Sequence, residues 1–154
     1  MIKFRMIGGA IAATAIATMA MAGGHGGDPN VKARQSHMQL YAYNLGILGN
    51  MAKGEMEYDA AIAQGAADNM VALSGLFQNT YWAPGTDSQS VENSRAKPAL
   101  WENIPDAIAI STALNEASVA LAAVAGTGQA AIGPALGAVG KNCGTCHEKY
   151  QESR

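Results

Sequence analysis

Cys143-Gly144-Thr145-Cys146-His147 lies seven residues from the C-terminus and holds the only two cysteines of a 154-residue chain. Cys-x-x-Cys-His is the attachment sequence for c-type haem: two thiolates add to the porphyrin vinyl groups as thioethers, and the imidazole that follows takes an axial position on the iron. On a helix, positions i, i+3 and i+4 share a face, so Cys143, Cys146 and His147 can address one porphyrin. The spacing predicts one covalently attached haem c, with Cys143 and Cys146 as the attachments and His147 as the proximal ligand. A redox dithiol is the competing reading, but such a pair usually opens a helix after a strand, and no strand pattern precedes Cys143. A structural zinc needs four ligands, and Cys143, Cys146 and His147 have no obvious fourth.

Outward from the motif, the sequence predicts a last helix over about residues 129–150. Pro134 lies inside it and removes one backbone hydrogen bond, so the helix kinks or begins there. Gly126-Thr127-Gly128 separates it from a helix running from about Pro105 or Asp106 to Ala125, marked by Ile108, Leu114 and Leu121, with a possible extra turn at 99–103. Between Tyr81 and Pro98 the apolar periodicity breaks, leaving a long connection of a kind that often touches a functional site. Asp59 is a candidate N-cap for a second helix over 60–79, carrying Ile62, Ala66, Met70, Leu73 and Phe77. Asp28-Pro29 opens the first, over about 29–52. Its apolar stripe is Val31, Met38, Tyr41, Leu45 and Leu48, with Arg34 one turn before Met38. Four amphipathic helices and no strand predict an all-α fold, an antiparallel four-helix bundle with the haem motif on the C-terminal helix.

Only 14% of residues are charged and the formal net charge is −2. No basic stripe is present, which argues against a nucleic-acid partner. Residues 1–22 read as a cleaved signal peptide: Lys3 and Arg5, an apolar run from Met6, then Ala20-Met21-Ala22 before Gly23. That leaves residues 23–154 as one domain, expected in the bacterial periplasm, where c-type haem is attached. No later stretch is expected to reach transmembrane length. Loss of Lys3 and Arg5 reduces Lys and Arg from ten to eight against twelve Asp and Glu, a formal charge of −4. No Ser-His-Asp arrangement or phosphate-cradling loop stands out, so the chain is not expected to be an enzyme.

Several further pieces carry a family resemblance: Arg34-Gln35, Tyr58-Asp59-Ala60, Trp82-Ala83-Pro84-Gly85-Thr86-Asp87, Leu100-Trp101, and Val139-Gly140 ahead of Cys143. With a haem motif at the extreme C-terminus, the chain resembles the cytochrome c′ family, the class II c-type cytochromes. The resemblance implies that Arg34 and Gln35 contact the haem, Arg34 near a propionate, and that Thr86 and Asp87 approach its edge. It also implies that Met38 faces the open side of the iron. Family members with an aliphatic or aromatic residue there leave the iron five-coordinate and bind small gases; a low-spin subgroup uses methionine as sixth ligand. Two readings follow: a carrier passing single electrons to periplasmic redox partners, or a protein that binds or sequesters NO or CO. Met38 could also be core filling. His37, about 100° round the helix from Met38, is expected to point away from the iron. Lys141, Lys149 and Arg154 could form a positive docking rim, and the resemblance implies possible homodimers through the first two helices.

Overall fold

The computed structural model describes residues 27–153. The expected leader and its cleavage point, His25 and Arg154 lie outside the described residues. Within them the elements are α1 (Pro29–Lys53), α2 (Ala60–Ser74), a 3₁₀ turn (Gln78–Tyr81), a one-turn α3 (Ala99–Glu102), α4 (Ile104–Ala125) and α5 (Gln129–Tyr150). Asp28 caps α1, its side chain accepting from the N–H groups of Asn30 at 2.8 Å and Val31 at 3.2 Å, with Pro29 in the first turn. Gly54 ends α1 in the left-handed region at φ 75°, and its N–H reaches the carbonyls of Asn50 and Met51. A residue with a Cβ is strained there. Asp59 caps α2 through the Ile62 N–H at 2.9 Å.

The four long helices run up, down, up and down. The C-terminal half of α1, the start of α2, the end of α4 and the start of α5 meet in one dry core. Leu48, Met51, Met70, Leu121, Ile132 and Val139 are fully buried there, interleaved with Ala63, Ala67 and Ala125. Each large side chain contributes roughly 1.5–3 kcal/mol by leaving water. The opposite end of the bundle is not closed by helix packing. There, the first half of α1, the first half of α4, the last turns of α5 and the 78–100 connection surround a cavity.

Two features depart from the sequence expectation. Helix α2 stops at Ser74, not 79, where the Gly75 N–H turns back to the Val71 carbonyl at 3.0 Å. Phe77, placed on its apolar stripe, is 73% exposed, and Ile62 is also exposed. The buried face of α2 is Ala63, Ala66, Ala67 and Met70. Small residues let α1 and α4 approach closely, and Ile62 stands one position, about 100°, off that face. Second, α4 is by length and composition long and apolar enough to cross a membrane, against the expectation that nothing after the leader would be. In this fold α4 packs between α2 and α5, and its first half lines the cavity.

Candidate haem site

The last turns of α5 place Cys143, Cys146 and His147 in the wall of a cavity of about 410 Å³. Its other walls are mostly apolar, with Leu45 and Ala42 from α1 and Ile104, Ile108 and Leu114 from α4. A second cavity, of about 380 Å³, adjoins it. Met38, Trp82, Leu100, Cys146 and His147 line both, so the two are parts of one seat. Met38 reaches it from α1 and His147 from α5. Residue 38 is 37% exposed because it faces this space instead of the dry core. An apolar slot with both cysteines and a histidine in one wall, and a thioether in the other, fits a covalently held porphyrin.

Cys143 and Cys146 are half-buried and form no disulfide with each other. Burial pushes the pKa of Cys143 up, and burial together with Cys143 and Asp106 does the same for Cys146. A redox dithiol needs the reverse, a depressed pKa that supplies thiolate. Among the described residues no group of three or more His, Cys, Asp or Glu side chains could hold a metal ion by itself, which leaves the zinc reading without support.

His37 lines neither cavity. It is 5% exposed, its ring stacks on Tyr41 at 4.7 Å, and its Nδ1 lies 2.7 Å from the Tyr81 hydroxyl. Burial lowers its pKa, with a backbone contact to Leu73 opposing, which favours the neutral ring. It points away from the iron site, as helix geometry requires.

Arg34 lines the second cavity and also braces the connection. Its guanidinium, 5% exposed, sits over the Trp82 ring at 4.8 Å and the Trp101 ring at 5.8 Å. Nη1 donates to the Tyr81 carbonyl at 2.9 Å and to the Thr86 hydroxyl at 2.6 Å. Nη2 donates to the Thr86 carbonyl at 2.7 Å and to Ser94 Oγ at 3.2 Å. Four of the five donors of the fork therefore hold the connection onto α1. Thr86 and Asp87 line neither cavity. Thr86 is buried as the acceptor for Arg34, while Asp87 closes its own turn by accepting from the Gln89 and Ser90 N–H groups at 2.9 and 3.0 Å. Gln35 does line the second cavity, with its side-chain amide donating to the Asn93 carbonyl at 2.9 Å.

The connection is also pinned to α5 just beyond His147. The Lys97 N–H donates to the Tyr150 carbonyl and the Glu152 N–H to the Arg95 carbonyl, each at 2.9 Å, framing an Ala96–Gln151 bridge. Clamped to α1 and α5, the loop sets Trp82 and Leu100 on the cavity. Sequence reasoning missed Leu100, Ile104, Gln39 and Arg95 as lining residues. The expected basic rim is also reduced: Lys149 pairs with Asp106 at 3.0 Å, and the Tyr150 hydroxyl donates to the same carboxylate. These hydrogen bonds, first from Tyr150 and then Lys149, hold the pKa of Asp106 below the usual carboxylate range.

Residues 29–151, nearly everything beyond the expected leader, match the family described as Cytochrome C'. The chain belongs to the cytochrome c′ family. It is 39% identical over 124 residues to cytochrome c′ of Cereibacter sphaeroides, covering 80% of this chain and 83% of that protein. The fold is similar to the solved cytochrome c′ from Rhodobacter Spheriodes, with a TM-score of 0.78 and 38% identity over 81% of this chain and 96% of that one. It is also similar to the nitric oxide complex of a mutant of cytochrome c prime from Alcaligenes xylosoxidans. There the TM-score is 0.71 and identity 28%, over 81% and 94% of the two chains. As a cytochrome c′ this is a haem c protein with one covalent haem, built on an all-α bundle, and its relatives are bacterial cytochromes.

Proposed function

We propose that this cytochrome c′ carries single electrons, with Cys143 and Cys146 as its thioether attachments and with His147 and Met38 as the two axial ligands. Haem c supplies the Fe(III)/Fe(II) couple. The chain's residues hold, shield and tune it. Helix α5 presents both sulfurs and the imidazole from one face. Leu45, Ile104, Ile108 and Leu114 line the seat and would keep water from a bound haem. The observation that carries the reading is that Met38 from α1 and His147 from α5 line both halves of one seat. A thioether is a soft neutral ligand that raises the reduction potential and occupies the position a gas would need. The test is the ferric optical spectrum: a low-spin form with a methionine–iron charge-transfer band supports ligation, and a high-spin form without it refutes it.

The second reading, capture of NO or CO at a five-coordinate iron, draws its support from the nitric oxide complex of the Alcaligenes relative. It requires Met38 to stand beside the iron without binding it. Neither reading gives the protein a substrate to transform, so we propose that it is not an enzyme.

The same proposal includes export, with the leader cut before Gly23; the mass of the mature protein from a periplasmic extract checks that site. It also includes pairing of two copies through α1 and α2, supported by apolar side chains that the monomer leaves in water. Tyr43 is 68% exposed, and Leu40 and Ile62 are about half exposed. Tyr43→Asp is expected to halve the sedimenting mass at micromolar concentration without changing the visible spectrum. A mass that is the same in both proteins contradicts the pairing.

A further inference from the structure

Haem c brings two propionates, and ionised carboxylates need a cation or water where they settle. The larger cavity has no Asp, Glu, Lys or Arg in its wall; its polar groups include the amides of Gln78, Asn79 and Asn142, Ser111 and the Tyr41 hydroxyl. The second cavity holds two arginines, Arg34 and Arg95, with Gln35, Gln39 and Gln151. The propionate edge therefore belongs on the second side. Arg34 has spent four of five donors on the connection and retains only Nε–H. Arg95 uses Nη2 on the Glu152 carbonyl. Its Nε and Nη1 have no hydrogen-bond partner among the described residues, and no carboxylate there lies within ion-pairing distance of it. Its backbone is fixed by the bridge to α5, through the Glu152 N–H on its carbonyl at 2.9 Å.

We infer that Arg95 is the residue that pairs with a haem propionate, while Arg34 is a positioning residue that holds the loop carrying Arg95 and Trp82. The inference rests on the haem seat proposed above. Arg95 is half-buried, and its unpartnered Nε–H and Nη1–H groups can donate to a carboxylate while its charge stays fixed, which a glutamine cannot match. Its positive charge at the haem edge also disfavours the ferric state, so it raises the potential.

The test uses holoprotein carrying Arg95→Gln, Arg95→Lys or Arg34→Gln, read by potentiometry, resonance Raman of the propionate bending bands, and thermal melting. Arg95→Gln is expected to shift the bending band, lower the potential and leave the melting temperature nearly unchanged. Arg95→Lys should restore the potential but not the band. Arg34→Gln should lower the melting temperature strongly and leave the band in place. A band that moves with Arg34→Gln and stays fixed with Arg95→Gln overturns the assignment, as does an unchanged potential in Arg95→Gln. Failure of the seat itself reads differently, as an absent covalent haem or a missing methionine signature in the unmutated protein.

Discussion

A chain carrying Cys143→Ser together with Cys146→Ser is expected to show no haem-stained band on a denaturing gel, whereas the unmutated chain stains at its own mass. The loss is total because these are the only cysteines the chain has. The cost to the fold should be nearly as large. One end of the bundle is closed by the dry core around Leu48, Met70 and Leu121, but the other is lined by Met38, Leu45, Ile104, Ile108, Ile110 and Leu114 facing a cavity. At roughly 1.5–3 kcal/mol for each apolar side chain, six left uncovered forgo on the order of 10 kcal/mol, comparable with the whole stability of a domain. The double variant should melt at least about 10 °C lower, with the haem end loosening first in hydrogen exchange. A covalently stained band that persists in the double variant contradicts the assignment of the attachment residues.

Met38→Ala is the second large effect. If the thioether leaves the sixth position open about 1% of the time, removing it tightens apparent CO affinity about 100-fold, because the competent fraction rises to one. The ferric spectrum should turn high-spin, and the reduction potential should fall as the methionine contribution is lost. Met38→Leu separates coordination from packing, since that exchange nearly conserves volume and costs less than about 1.5 kcal/mol in a core. Under ligation, Leu behaves as Ala does in the spectrum and in CO binding. If Met38 is core filling, Leu behaves as the unmutated protein.

Much of this molecule is legible in its residues. Asp28-Pro29, Asp59 and Gly126-Thr127-Gly128 mark helix boundaries through capping chemistry and glycine freedom, and each stands where a helix begins or ends. The Cys143–His147 spacing places three groups on one face without reference to the rest of the chain. What helical period could not give is which neighbouring residue faces the core. On α2 the small residues Ala63, Ala66 and Ala67 were taken inside and the larger Ile62 left out, because close helix approach outweighed the burial of one isoleucine. The role of Arg34 was hidden for a related reason. Its partners, Thr86 and Ser94, lie more than fifty residues away, in a stretch with no periodicity. Arg95 was no more visible, being one charge among several in a polar loop until the bridge to Gln151 aimed it at the cavity.

The choice between electron transfer and gas binding turns on one position of the iron. Carbon monoxide added to the reduced, unmutated protein tests it most directly, with Met38→Ala as the reference. Ligation by Met38 predicts a low-spin ferrous spectrum that stays unchanged at CO concentrations sufficient to saturate Met38→Ala. A high-spin ferrous spectrum that converts to the CO form at the same concentrations in both proteins would contradict it and make gas binding the function.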